Sequence, residues 1–206
     1  MPAEATVYVV DDDVSHLRSI SRLLRASGYH VVMYESAAEF LDALRAEMSG
    51  CVITDLMMPE IDGIALQEAL RAADNPLPIV FLTGHGDIPT SVQAMRCGAE
   101  DFLTKHAPKE KVLAAVERAL ERNRQEQSRL SHLQALRLPF ELLTEREREV
   151  LLLVMRGLLN KQIAAELSLH ERTVKLHRTH ITQKIGVHSV AELVNRYQAA
   201  QLDWGS

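Results

Sequence analysis

The chain of 206 residues is 47% hydrophobic and 25% charged, with 9 Gly and 7 Pro, which allows about one or two domains and excludes collagen-like, low-complexity and wholly disordered classes. Its apolar run Val150–Met155 is far short of the roughly 18 residues of a membrane span, and the start Met-Pro-Ala-Glu-Ala-Thr is no secretory leader, so a cytoplasmic protein with no membrane contact is expected. The net charge of −5 is uneven, 18 acidic against 10 basic residues over 1–120 and 10 against 13 over 121–206, and an acidic half joined to a basic half points to different partners for each.

Along the first half, Val7–Val10, His30–Tyr34, Cys51–Thr54, Ile79–Leu82 and Asp101–Leu103 are short, mostly apolar runs. Such runs are expected of strands covered on both faces. Between them lie amphipathic segments such as Leu17-Ile20-Leu23-Leu24 and Phe40-Leu41-Leu44, the latter opened by a capping-box pattern at Ser36-Ala37-Ala38-Glu39. Strand and helix in alternation predict right-handed crossovers and a doubly wound parallel α/β domain up to about residue 120. Cys51 and Cys97 form no Cys-x-x-Cys pair and read as reduced, packed thiols.

Pro108 suits a first helical turn, and neither Gly nor Pro follows until Pro139, so one helix can run between them. Its stretch Arg122–Ser131 is almost wholly polar and reads as a solvated spacer. Leu130, Leu133 and Leu136 then return at helical spacing, as a dimer seam or as packing on a neighbouring domain. Beyond them, Thr144 and Glu147 make a second capping box before a helix that Gly157 closes. A short helix Lys161–Leu167, a tight turn Ser168-Leu169-His170, a longer helix Arg172–Ile185 ended by Gly186, and a last helix Val190–Tyr197 capped by Ser189 complete an all-α unit containing a helix-turn-helix.

Ligands of open α/β sheets bind at the carboxyl ends of the strands. Those positions hold Asp11-Asp12-Asp13, Asp55, Thr83 and Lys105. Each acid alone could be a loop cap. Converging on one crevice, carboxylates would raise one another's pKa, and a hard divalent cation such as Mg²⁺ would relieve the repulsion.

Val9-Val10-Asp11-Asp12, Thr54-Asp55-Leu56-Met57-Met58-Pro59, Asp62-Gly63, Phe81-Leu82-Thr83-Gly84-His85-Gly86 and Asp101-Phe102-Leu103-Thr104-Lys105 together resemble the receiver domain of two-component response regulators of the FixJ and NarL type. The resemblance implies a flavodoxin-like sheet of order 2-1-3-4-5 with five helices, and Asp55 as phospho-acceptor from the histidine of a sensor kinase. It further implies Mg²⁺ (or Mn²⁺) held directly by Asp12, Asp55 and the Met57 carbonyl, with Asp11 acting largely through water. Thr83 and Lys105 would each contact a phosphoryl oxygen. Phe102 takes the place of an aromatic switch whose rotamer follows Thr83; without the family, Phe102 is core and Thr83 a strand-end cap.

In the helix from Arg172, Val174, Ile181 and Ile185 share one face, while Lys175, Leu176, Thr179 and Gln183 turn away from it. That outer face is either a solvated basic surface or one that enters a major groove. The segment from Leu143-Thr144-Glu145-Arg146-Glu147 through Asn160-Lys161-Gln162-Ile163-Ala164 and Glu171-Arg172-Thr173-Val174-Lys175-Leu176-His177-Arg178 to Lys184-Ile185 resembles the LuxR-type helix-turn-helix domain. The resemblance implies base contacts from Lys175, Leu176 and Thr179, and phosphate contacts from Lys161, Thr173, Arg178, His177 and Thr144. Ser168 and His170 depart from it, standing where Gly and a Ser or Thr cap are usual.

The expected organisation is a receiver over residues 1–122, a helical linker over 123–139 and a DNA-binding domain over 140–206. The expected function is phosphorylation-controlled dimerisation and binding to promoter DNA with paired half-sites, with RNA polymerase as a further partner. No enzymatic activity is expected beyond the receiver's own phosphotransfer and dephosphorylation. A small α/β enzyme is the rival of another class, but Gly-x-Gly-x-x-Gly, the P-loop and Gly-x-Ser-x-Gly are all missing. The nearer alternative is a phosphorylation-independent DNA-binding regulator with a degenerate receiver switch.

One departure carries a geometric expectation. Receivers usually follow the strand-five lysine with a cis proline, whereas here His106 follows Lys105. A cis bond to a non-proline residue costs about 2.5–4 kcal/mol. A trans bond is therefore expected, with Lys105 drawn away from Asp55 and His106 exposed.

Overall fold

The computed structural model describes residues 6–84, 97–202 and 204. Among the described residues, the first half holds β1 (Thr6–Val10), α1 (Val14–Ala26), β2 (His30–Tyr34), α2 (Ala37–Ala43), β3 (Cys51–Thr54), α3 (Gly63–Ala72), β4 (Ile79–Thr83) and β5 (Asp101–Thr104). The long helix α4 (Lys109–Glu141) follows, then α5 (Glu145–Met155), α6 (Asn160–Glu166), α7 (Glu171–Ile185) and α8 (Val190–Ala199). The strands form one parallel sheet in the order β2-β1-β3-β4-β5, the flavodoxin-like arrangement expected. His85, Gly86 and the stretch between β4 and β5 where the resemblance implies a further helix fall, over residues 85–96, outside the described residues.

The period-two alternation of the strands sorts their side chains into two cores. Val7, Val9, Cys51, Ile53, Val80 and Leu82 pack with α1 and α4 on one face. Tyr8, Val10, Val52, Ile79 and Phe81 pack on the other, with α2 and α3 supplying Phe40, Leu66 and Leu70. Because β1, β3 and β4 are covered on both sides, their sequences read as continuous apolar runs. Burial pushes the Cys51 thiol up to about 12, so it stays an inert core group.

Caps fix where the helices begin. Asp13 accepts the amides of Ser15 and His16 at the start of α1, and Asp62 accepts that of Ala65 at the start of α3. Ser36 caps α2, but the Glu39 carboxylate accepts the amide of Glu35 rather than that of Ser36. Gly63 admits no side chain: a Cβ there would stand 2.5 Å from the Asp55 carbonyl oxygen and 2.8 Å from the Phe81 ring.

The chain divides into two compact units within α4, residues 1–128 and 129–206. Pro139 lies inside the helix rather than ending it. In the last turn it forfeits one intrahelical bond without a long helix beyond it to kink. Asn123, read as part of a solvated spacer, is instead only 2% exposed. Its side-chain oxygen accepts from Ser49 Oγ and the Gly50 amide, both at 2.9 Å, and its amide donates to the Pro76 carbonyl at 3.2 Å. A polar residue enters the core there because unpaired loop groups meet it.

The second unit packs Phe140, Val150, Leu151, Ile163, Val174, Ile181 and Leu193 into one core, with Leu136 and Trp204 against it. Leu136 thus serves intramolecular packing, while Leu130 stays 37% exposed. The Thr144–Glu147 capping box forms as the sequence predicts. Glu147 is itself buried and ties α5 to α7 through Lys184, 2.7 Å away.

Candidate functional site

Each strand-end residue of the first unit is placed by the sheet. The Asp11 amide donates to Tyr34 O, the Asp55 amide to Val10 O and the Lys105 amide to Thr83 O, continuing the ladders one residue past the strands. Asp11 and Asp55 are 2% and 8% exposed, and Asp12 beside them is exposed. One oxygen of each of the three carboxylates lies within 4.8 Å of the others. Thr83 ends β4 fully buried, and Phe102 on β5 is half-buried against Phe81, ring centroids 5.9 Å apart.

Lys105 corrects the sequence expectation. The Lys105–His106 bond is trans and His106 is exposed, as expected, yet Lys105 Nζ lies 2.7 Å from Asp55 Oδ2 and 2.8 Å from Asp11 Oδ2. The peptide bond in question follows Lys105, whereas the residue is positioned before it, by its own amide on Thr83. Two buried carboxylates then draw in the ammonium on its flexible stem.

Burial raises the Asp11 pKa, but hydrogen bonds from His16 and Lys105 outweigh it and hold the carboxyl below the usual range. Burial likewise lowers that of Lys105, and its bonds to Asp11 and Asp55 carry it above the ordinary lysine value. The pocket is therefore a carboxylate pair bridged by one ammonium, which offsets one of its two negative charges. A cation already sits between oxygen donors, which are the ligand type a hard divalent ion requires, so the residues fit such an ion. Asp55 Oδ1 accepts the Leu56 amide at 2.6 Å and the Met57 amide at 3.4 Å. Sequence reasoning missed His16, whose Nδ1 lies 2.6 Å from Asp11 Oδ2; the nearest signal was Asp13 as a helix cap three residues before it.

In the second unit, Ser168 takes a left-handed φ of 52° and His170, at the N-cap of α7, makes no side-chain cap bond. The turn closes all the same, through the Leu169 amide on Ala164 O at 2.8 Å. Val174, Ile181 and Ile185 are buried; Lys175, Leu176, Thr179 and Gln183 are exposed, as is Lys161 on α6, while Thr173, His177 and Arg178 are half-buried. Arg178 donates to Asn160 Oδ1 at 2.9 Å, a partner the sequence reading did not identify. A cleft of about 660 Å³ runs between the start of α6 and α7, lined by Leu159, Asn160, Lys161, Lys175, Arg178 and Thr179. Thr144 stands apart in character, because its hydroxyl is engaged with the Glu147 carboxylate at 3.1 Å.

No helix among the described residues is long and apolar enough to cross a membrane. Residues 7–117 match the response regulator receiver domain family, and residues 141–197 match the bacterial regulatory proteins of the luxR family. The chain is 40% identical to response regulator protein TodT of Pseudomonas putida over 92% of its own length and 84% of that protein. It is 36% identical to transcriptional regulatory protein FixJ of Bradyrhizobium diazoefficiens, over 94% and 95%. The solved structure of response regulator StyR superposes with a TM-score of 0.79 at 44% identity, covering 95% of this chain and 99% of that one. A receiver match across more than half of the residues, joined to a luxR match and to relatives alike over nearly the whole length, means that this chain belongs to the two-component response regulators of the FixJ and NarL type, transcription regulators that couple a receiver to a LuxR-type DNA-binding domain.

Proposed function

We propose that Asp55 accepts a phosphoryl group from the phosphohistidine of a sensor kinase, and that this modification controls dimerisation and binding to promoter DNA with paired half-sites. The observation that carries the reading is the pocket itself, three carboxylates within 4.8 Å of one another with Lys105 Nζ 2.7 Å from Asp55. Asp55 Oδ1 is held by the Leu56 amide, so Oδ2 is the attacking atom. It forms a bond to phosphorus as the phosphorus–nitrogen bond breaks, and the kinase imidazole leaves.

Asp12, Asp55 and the Met57 carbonyl would hold Mg²⁺ or Mn²⁺, with Asp11 largely through water; when bound, the ion neutralises charge on the transferring group. Lys105 releases Asp55 Oδ2 and takes a phosphoryl oxygen, and the Thr83 hydroxyl takes another. In this reading Phe102, packed against Phe81, follows Thr83. In this reading residues 1–122 are the receiver, 123–139 the linker and 140–206 the output domain, acting in the cytoplasm with RNA polymerase as the further partner.

On the output domain, Lys175, Leu176 and Thr179 read base edges, while Lys161, Thr173, His177 and Arg178 hold phosphates. Thr144 contributes by its backbone position, its hydroxyl being engaged with Glu147. The coupling of phosphorylation to DNA affinity is about 1–3 kcal/mol, or roughly 5–150-fold. Footprinting with and without acetyl phosphate and Mg²⁺ tests it. Protection that strengthens with both is the expected outcome. Equal protection in either condition would favour a phosphorylation-independent regulator.

A further inference from the structure

We infer that His16 is a positioning residue for the cation site, holding the Asp11 carboxylate in place when Lys105 leaves it. The inference rests on the phospho-acceptor reading above. Among the described residues the Asp11 carboxylate accepts from three groups: the Asp13 amide on Oδ1 at 2.9 Å, Lys105 Nζ on both oxygens at 2.9 and 2.8 Å, and His16 Nδ1 on Oδ2 at 2.6 Å. A carboxylate only accepts, so Nδ1 carries the proton, and a bond to an ionised acceptor is of the stronger, charge-assisted kind.

The three donors differ in what can move them. Lys105 spends its contacts on Asp11 and Asp55 together, and a divalent ion held at the site would compete with that ammonium for the carboxylate charge. The Asp13 amide and His16 remain. Both belong to the start of α1, where Asp13 Oδ1 accepts the amides of Ser15 and His16 at 2.9 and 3.2 Å. The imidazole is therefore delivered from a capped helical turn, and its side chain is only 18% exposed. With one donor on each oxygen from a rigid element, Asp11 keeps its orientation toward Asp12 and Asp55 throughout the exchange. Without His16, Oδ2 keeps no fixed donor among the described residues and the carboxylate can rotate. Groups that orient a ligand in this way typically change metal affinity by about 10–100-fold.

The test is calorimetric titration of Mg²⁺ into the full chain as wild type, His16→Leu, His16→Ala and His16→Asn, with Asp12→Asn as a control for direct ligation. His16→Leu and His16→Ala should each bind Mg²⁺ about tenfold more weakly. His16→Asn, whose Nδ2 stands where Nδ1 does, should restore affinity to near the wild-type value, with melting midpoints in the absence of Mg²⁺ alike for His16→Ala and His16→Asn. Wild-type affinity in the donor-free variants overturns the inference. So does a loss in His16→Asn equal to that in His16→Ala, since packing rather than the hydrogen bond would then be the cause. Failure of the wild-type chain to take up Mg²⁺, or equal binding by Asp12→Asn, removes the cation site itself and overturns both readings together.

Discussion

Lys105 Nζ bridges Asp11 Oδ2 and Asp55 Oδ2 at 2.8 and 2.7 Å, so a single ammonium offsets one of the two negative charges of the buried pair at the carboxyl edge of the sheet. Replacing it with alanine leaves those carboxylates uncompensated. Breaking a buried pair in this way costs about 3 kcal/mol or more, and the Lys105 side chain is only 13% exposed. Lys105→Ala should therefore lower the melting midpoint without Mg²⁺ and bind Mg²⁺ more tightly, since the competing cation is gone. Calorimetry on the two proteins checks it; weaker Mg²⁺ binding by the variant would mean that Lys105 helps assemble the site.

Asp55→Asn keeps the shape and the Leu56 contact but removes the nucleophile. Incubation with acetyl phosphate and Mg²⁺ should label the wild-type chain with an acyl phosphate and leave the variant unlabelled, with circular dichroism unchanged. Equal labelling would put the phospho-acceptor elsewhere.

Gly63→Ala is a packing test of the same pocket. The new Cβ would meet the Asp55 carbonyl oxygen at 2.5 Å, which is backbone and cannot swing aside. Overpacking of this kind costs about 1–3 kcal/mol. The strand end carrying Asp55 must shift to admit it, so labelling by acetyl phosphate should slow as stability falls. Unchanged labelling kinetics would show that the pocket absorbs the methyl group without moving Asp55.

Glu147 links the capping box of α5 to Lys184 on α7. Burial raises its carboxyl pKa, but the bonds from Lys184 and Thr144 bring it below the ordinary value of 4.5. A carboxyl depressed in the folded state stabilises the fold above its unfolded pKa, and that contribution fades as pH falls through the folded value. Trp204, packed on Phe140 and Tyr197, reports unfolding of this unit by fluorescence. Stability should be flat at neutral pH and decline below about pH 4.5, with a smaller decline in Glu147→Gln. The same acid slope in both proteins would assign it to other carboxylates.

The sheet was legible because strands covered on both faces must be apolar throughout, and the boundaries of His30–Tyr34 and Cys51–Thr54 agree to the residue. The helix-turn-helix was legible through its caps and glycines, even where Ser168 replaces glycine at a φ of 52°. What sequence could not supply were partners set by tertiary meetings of single side chains. Asn123 looked like spacer because its neighbours are polar, and only the loops at Ser49, Gly50 and Pro76 make it core. Histidine in place of proline after Lys105 predicts a displaced side chain, but the altered bond follows the residue, whose backbone the β4–β5 ladder fixes.

The cleft between α6 and α7 separates two kinds of DNA contact. Lys175 and Thr179 are exposed on the outer face of α7, so Lys175→Ala and Thr179→Ala should cost about 1–3 kcal/mol at particular base pairs and relax specificity there. Lys161→Ala and Arg178→Ala should instead weaken all operators alike, each lowering the salt slope by about one. Asn160 carries no charge yet accepts from Arg178 at 2.9 Å. If Asn160 acts by fixing the guanidinium on the phosphate side of the cleft, Asn160→Ala should lose affinity uniformly across operator variants while the charge remains available. Combined with Arg178→Ala it should add little further loss, since the two residues share one contact. Binding isotherms over a range of salt on the single and double variants measure this, and full additivity of the two losses would show that Asn160 meets DNA independently of Arg178.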